Sequence, residues 1–231
     1  MNEPNIALES QPFLLVSDIH ADIENLNKIL QLSPKDIRYR CFLGDAIGYG
    51  PNPAEVVHKL SEFDICILGN HESLLLGRND PDLFNREAAR TVEAHKLVLS
   101  DQDLQSILNY SPKFKRKNML LFHGTPEDEN EYPLNEKTIG RIMKWYPKID
   151  LFFGGHLHIP RVAVYNIKHE TIDFEEIKGP LSRHVLDLQN NRYMINCPSV
   201  TPGRHGYNTP GGCTVYHSSQ KEKVLTFFFT E

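Results

Sequence analysis

An α/β fold is predicted by three features of the chain. Five short apolar runs each end in a polar or glycine-containing turn, amphipathic helical stretches lie between them, and the last third changes to strand-like patterns around polar turns. The apolar runs are Phe13–Val16 before Ser17-Asp18, Cys41–Leu43 before Gly44-Asp45 and Ile65–Leu68 before Gly69-Asn70. Met119–Phe122 before His123-Gly124 and Leu151–Phe153 before Gly154-Gly155-His156 complete the set. Unbroken apolar runs of this length suit strands buried on both faces, which implies parallel pairing.

The helices between them are marked by spacing and caps. Asp22 caps a helix with apolar positions at Ile23, Leu26, Ile29 and Leu30, and Pro53 to Leu60 offers Val56, Val57 and Leu60. A longer amphipathic stretch runs from about Ala88 to Leu99. Ser100-Asp101-Gln102-Asp103 reads as a capping sequence for the next helix. Ile139, Ile142, Met143 and Tyr146 repeat at helical spacing before Pro147.

In the last third, Val185–Leu188 and Tyr193–Ile195 flank Asn190-Asn191, which predicts a hairpin. Thr214–Tyr216 and Val224–Phe229 flank a polar loop. These antiparallel strands are expected to complete a second sheet. The basic run Lys113-Phe114-Lys115-Arg116-Lys117 is expected to be a solvated turn. No repeat or linker breaks the chain, so residues 1–231 are expected to form a single domain.

Composition narrows the function. The 231 residues are 40% hydrophobic and 24% charged, as in globular rather than disordered chains, and the net charge of −5 gives no general affinity for nucleic acid or acidic membranes. The start carries Glu3 and Glu9 without a basic region, and Phe13–Val16 is too short to span a bilayer, so a soluble cytoplasmic protein is expected. Cys41, Cys66, Cys197 and Cys213 have no CxxC spacing and are expected to be reduced thiols.

The polar residues at the strand ends carry the chemistry. They are Asp18 and His20 in SDIH, Asp45 in GDAIGYG, Asn70 and His71 in GNHE, His123 in FHG, and His156 and His158 in GGHLH. Sites in open α/β sheets form beyond the carboxyl ends of strands. Side chains two apart on extended backbone share a side, so Asp18 with His20, and His156 with His158, are expected to act as pairs. Hydrolysis of a phosphate ester needs an activated water and neutralised phosphoryl oxygens. Two divalent ions about 3.5–4 Å apart supply both by lowering the pKa of a bridging water and clamping the oxygens. Asp18 and Asp45 return only two of the four positive charges, which leaves the site attractive to an anion. Each element alone has a bland reading as a cap, turn or core histidine. Their joint occurrence in order, each after an apolar run, favours a metal site.

This order, D-x-H, G-D, G-N-H, H, G-H-x-H, closely resembles that of the calcineurin-like metallophosphoesterase superfamily. The tail Asn196-Cys197-Pro198-Ser199-Val200 resembles the N-P-G-S-V segment of its compact prokaryotic branch. The resemblance implies a two-sheet α/β/β/α sandwich and a division of ligands. Asp18, His20, Asp45 and His158 would bind one ion. Asp45, Asn70, His123 and His156 would bind the other, with Asp45 bridging. His71 would be the non-ligand catalytic histidine, protonating the leaving oxygen or holding the phosphate. Mixed N/O ligands without thiolate suit Mn²⁺ first, and also Fe, Co, Ni or Zn²⁺.

The departures matter too. Protein Ser/Thr phosphatases of this superfamily have G-D-x-x-D-R-G, whereas Gly48 and Tyr49 here replace the Asp that orients the catalytic histidine and the Arg that binds phosphate. Tyr49 is a candidate for the substrate side, and Arg204 and His205 after a Pro-Gly turn are candidates for phosphate contact. Arg141 and Arg161 are expected at the surface. His58, His95, His169, His184 and His217 lack motif context. The expected function is hydrolysis of a small phosphomonoester or phosphodiester. A nucleotide or diadenosine-polyphosphate hydrolase is the alternative within the class, and a binding module that lost catalysis is the alternative outside it. The absence of an H-E-x-x-H helix argues against a metalloprotease.

Overall fold

The structure is a computed structural model that describes residues 6–133, 135–177, 181–203, 209–219 and 222–230. Among the described residues, two six-stranded sheets pack face to face. The first contains β1 (Phe13–Val16), β2 (Tyr39–Phe42), β3 (Ile65–Cys66), β9 (Leu181–Val185), β11 (Gly212–Ser218) and β12 (Lys223–Phe229), in the order β3-β2-β1-β11-β12-β9. The second contains β4 (Lys113–Arg116), β5 (Met119–Phe122), β6 (Leu151–Gly154), β7 (Arg161–Asn166), β8 (Thr171–Glu176) and β10 (Asn191–Asn196), in the order β4-β5-β6-β10-β7-β8. The motif-bearing strands pair in parallel, β1 with β2 and β2 with β3 in one sheet and β5 with β6 in the other. Antiparallel strands extend each sheet outward.

Alternation along the strands builds the layers. On β1, Phe13 and Leu15 face the second sheet and meet Leu121, Phe153, Ile195 and Phe227 in the central core. Phe13 meets Phe153 edge-on at 5.7 Å between ring centres, which ties the sheets together. Leu14 and Val16 face outward onto α1 (Ile23–Leu32), α2 (Pro53–Leu60), α4 (Arg86–Val98) and α5 (Asp101–Leu108). α6 (Glu136–Trp145) covers the outer face of the second sheet through Ile139, Ile142 and Met143. The layers are therefore α/β/β/α, as the resemblance implied.

The helix starts follow their caps. The Asp22 carboxylate accepts from Asn25 N–H at 3.0 Å, and Ser100 with Asp103 closes a capping box before α5. One short helix was not expected: α3 (Asn70–Leu75) begins on the GNHE motif itself, because the strand before it stops at Cys66. Among the described residues, no helix is long and apolar enough to cross a membrane. All four cysteines are free.

Three expectations are corrected. Asn190-Asn191 does not join a hairpin, since β9 pairs with β12 in the first sheet and β10 lies between β6 and β7 in the second. An Asx turn redirects the chain: Asp187 accepts from Gln189 and Asn190 through its carboxylate and from Asn191 N–H through its carbonyl. Second, β11 and β12 extend the first sheet, where β11 pairs with β1. Third, the basic run is an edge strand, β4, with Phe114 turned to the core while Lys113 and Lys115 stay exposed. Charged residues on an edge strand discourage pairing with another chain.

Candidate metal centre

The loops after β1, β2, β5 and β6 and the start of α3 converge at one end of the sandwich. Asp18, His20, Asp45 and His158 each offer one donor atom within 4.8 Å of the others, and so do Asp45, His123 and His156. Asp45 belongs to both groups. Asn70 joins the second, its amide oxygen 3.2 Å from His123 Nε2. His156 and His158, expected to act as a pair, lie in different groups.

The extended-backbone argument fails here. Asp18, His20, Asp45, His156 and His158 all have left-handed backbone, with φ of 52°, 50°, 64°, 69° and 59°. Such conformations cost non-glycine residues energy and persist only where the surroundings over-determine them. Backbone bonds supply that constraint: Asp18 N–H reaches Gly44 O at 2.9 Å, His20 N–H reaches Asp45 O at 3.0 Å, and Ser199 N–H reaches His158 O at 3.1 Å. From the tail, Ser199 Oγ donates to Asp18 O at 2.8 Å and Thr201 Oγ1 donates to Ile19 O at 2.6 Å. The tail segment thus fastens the first motif.

Second partners set the imidazole tautomers. His20 Nδ1 donates to Ile47 O at 3.1 Å and His123 Nδ1 donates to Leu43 O at 2.8 Å, so each ring turns its Nε2 into the site. His156 Nε2 lies 3.3 Å from Asn130 O and leaves Nδ1 as its inward donor.

The charges are arranged for a cation. Asp18 and Asp45 are almost fully buried. Burial alone would raise their carboxyl pKa values, but the surrounding imidazoles, His158 at Asp18 and His123 at Asp45, hold both well below the usual range. Burial is the largest influence on His123 and opposes its charge. Asp45, through charge and a hydrogen bond, and then Asp18 overcome it and lift the ring to about 10. The two carboxylates thus draw a proton onto His123 when nothing else neutralises them. His156 goes the other way, lowered to about 4 by burial and then by His123. The Asn70 amide oxygen lies 3.1 Å from both carboxylate oxygens of Asp45. Three acceptors cannot share that space without a proton donor or a cation. A proton on His123 Nε2, 3.2 Å from the amide oxygen and 3.3 Å from Asp45 Oδ2, supplies the donor, and a metal ion satisfies the same space with the amide oxygen in place. The donor set therefore fits divalent metal.

Residues 11–160 match the family model for calcineurin-like phosphoesterases. The chain belongs to that family. An uncharacterized protein of Methanocaldococcus jannaschii is 30% identical over 219 residues, covering 91% of this chain and 85% of that one. A crystal structure of a metallophosphoesterase from Sphaerobacter thermophilus superposes with a TM-score of 0.78 at 24% identity, over 96% of this chain and 89% of that one. A hypothetical protein from Pyrococcus horikoshii OT3 has a TM-score of 0.66 at 13% identity, over 95% and 89%. Both solved structures show the same fold.

In this calcineurin-like chain His71 stands beside the donors without joining either group. It occupies the first turn of α3, so its divergence from Asn70 comes from helical rotation. Its Nε2 lies 3.8 Å from Asp45 Oδ2, and its Nδ1 is buried with no hydrogen-bond partner among the described residues. Gly48 explains the second fact, since a Cβ there would fall 2.2 Å from His71 Nδ1. Rings pack around His71 instead: His20 at 4.9 Å, Tyr49 at 5.2 Å and Phe84 at 5.6 Å between centres. Burial, ahead of all charges, lowers the His71 pKa.

Sequence reasoning missed three contributors. Glu72, fully buried, accepts from the N–H groups of Asp45 at 2.9 Å, Ala46 at 2.8 Å, Ile47 at 3.2 Å and Gly69 at 2.9 Å. Burial and then Asp45 push its carboxyl up to about 7, while these N–H donors pull back toward the anion. Only its place in the GNHE word hinted at this role. His95 holds the GDAIGYG loop, although its sequence context was ordinary. Tyr132 stacks on His156 at 3.9 Å between centres and is half exposed. The Tyr49 ring lies 5.0 Å from that of His20 and 5.2 Å from that of His71. Arg204 and His205 lie outside the described residues. Arg141 pairs with Glu131, and Arg161 stacks on Phe174 at 3.6 Å. The exposed His58 pairs with the buried Asp103 at 2.8 Å.

Proposed function

We propose that this chain is a binuclear metal-dependent hydrolase of phosphomonoesters or phosphodiesters. The observation that carries the proposal is Asp45, one carboxylate shared by two donor groups that each fit a divalent ion. Asp18, His20, Asp45 and His158 would hold one ion, and Asp45, Asn70, His123 and His156 the other, with manganese the first candidate. When bound, the pair would lower the pKa of a water and neutralise phosphoryl oxygens. The protein's own part is orientation. Ile47 O and Leu43 O fix two imidazole tautomers, Glu72 anchors the Asp45 loop, and His71 is placed beside Asp45 to protonate the leaving oxygen or hold the phosphate.

A nucleotide or dinucleotide substrate is the second reading within this class. It is favoured by the partly exposed rings of Tyr49 and Tyr132 beside His71 and His156, which suit a flat base. The presence of His71 speaks against a binding module without catalysis. Four free thiols support a reducing compartment such as the cytoplasm.

Chelation followed by gel filtration should abolish turnover of a p-nitrophenyl phosphate ester, and Mn²⁺ should restore it. The chelated protein should melt at lower temperature, because a ligand bound only by the native state stabilises it. Full activity in the metal-free protein would overturn the proposal.

A further inference from the structure

The GDAIGYG loop is held from outside by α4. His95 Nδ1 accepts from Gly48 N–H at 3.1 Å, and its Nε2 donates to Gly50 O at 2.9 Å. A backbone N–H can only donate and a carbonyl can only accept, so the two bonds select one neutral tautomer of His95. One helical turn earlier, Thr91 Oγ1 accepts from Tyr49 N–H at 2.9 Å, while its one hydroxyl hydrogen is within reach of the carbonyls of Glu87 and Ala88. At the helix cap, Asn85 Nδ2 donates to the Tyr49 hydroxyl at 2.9 Å. Three residues of one helix therefore grip three consecutive loop residues.

The middle one is conformationally costly. Tyr49 has φ of 61°, a left-handed backbone that a bulky aromatic residue rarely adopts. Strain of this kind survives where neighbours over-determine it, and it concentrates beside functional groups. Here the strained residue lays its ring on His71 at 5.2 Å and edge-on to His20 at 5.0 Å.

His71 needs such a wall. Its Nδ1 makes no hydrogen bond among the described residues, and the backbone of Gly48 closes the space where an orienting acceptor would stand. The angle of its ring is set by packing against Gly48, Tyr49, His20 and Phe84. Two of those four surfaces, Gly48 and Tyr49, belong to the loop that α4 holds.

We infer that His95, with Thr91 and Asn85, is a positioning residue for His71, acting through Gly48 and Tyr49. The α4 contacts replace the hydrogen bond that a carboxylate would make to His71 Nδ1. The inference rests on the proposed role of His71 toward a phosphate ester. It assigns no contact between His95 and substrate.

The test is a double-mutant cycle on the manganese-loaded full chain with phenyl phosphate and p-nitrophenyl phosphate esters. His95→Ala should keep the metal content of the native protein and lower kcat on the phenyl ester by about 10- to 100-fold, with a smaller change in KM, as expected when a reacting group is displaced by a fraction of an ångström to an ångström. In a His71→Gln background the same substitution should add nothing. His95→Gln, whose amide can accept from Gly48 and donate to Gly50, should recover most of the loss. In the metal-free protein, the ring C–H resonance of His71, assigned by its loss in His71→Gln, should shift or broaden in His95→Ala and return in His95→Gln. If His95→Ala fails to fold, Thr91→Val must show the same dependence on His71. Additive losses, an unchanged kcat or an unmoved His71 resonance would overturn the inference. If the native protein turns over no phosphate ester with any metal, the functional reading fails instead, and the resonance still decides whether His95 positions His71.

Discussion

The Glu72 carboxylate accepts the backbone N–H of Asp45 at 2.9 Å, joining the helix that carries Asn70 and His71 to the loop that carries the shared carboxylate. Three more N–H groups converge on the same side chain. Glu72→Gln puts an amide among four donors while keeping one acceptor oxygen. Above pH about 7, where the carboxylate is charged, we expect destabilisation on the order of 3 kcal/mol, since N–H groups in a buried site lose a charged acceptor. Metal content should fall as the Asp45 loop loosens. Denaturant unfolding and metal analysis of the variant check both. Unchanged stability would show that the carboxylate is not needed as an anion.

The sharing of Asp45 between two donor groups sets apart two substitutions. Asp45→Asn should weaken both ions, whereas Asp18→Asn should mainly empty the group it belongs to. Metal-to-protein ratios after dialysis measure this. Equal retention in the two variants would rule out a bridging role for Asp45.

His71 lies beside the donors and outside both groups, so removing it should separate chemistry from metal binding. His71→Gln should retain both ions and lose about 10²–10⁴-fold on an alkyl phosphate with a poor leaving group. The loss should be smaller for p-nitrophenyl phosphate, whose leaving group scarcely needs a proton. Loss of an ion would make His71 a ligand. Equal slowing on both substrates would assign it to phosphate binding.

Metal uptake should release a proton from His123. Its ring is raised from 6.5 to about 10 in the metal-free site, so it carries a proton at pH 8, while a metal ion requires the unshared pair on Nε2. Apparent metal affinity should therefore rise with pH toward about 10. The sign for stability is opposite. A raised histidine pKa stabilises the metal-free fold fully below about 6.5, and that contribution is lost as pH rises through about 10. Calorimetric titrations in buffers of different ionisation enthalpy count the proton, and melting curves across the same range follow the stability. A His123 ring that titrates near 6.5 in the metal-free protein would contradict both expectations.

What the sequence determined by itself was local. Five apolar runs, their terminal polar residues and the caps at Asp22 and Ser100 could all be found from spacing, because buried strands and helix starts leave short signatures. The order of the motifs was enough to point to the family, and the seven donors and His71 that it named are gathered at one end of the sandwich. Tertiary structure decided the rest. Long-range pairing sends β9 and β10 to different sheets, and no property of the Asn190-Asn191 turn encodes that choice. His156 and His158 are two residues apart, but left-handed backbone, held by Asp18 at His156 N–H and by Ser199 at His158 O, delivers them to different donor groups. Glu72 and His95 act on backbone groups more than twenty residues away. A side chain whose partners are backbone N–H and C=O leaves no mark in the partner's sequence, because every residue except proline carries both groups.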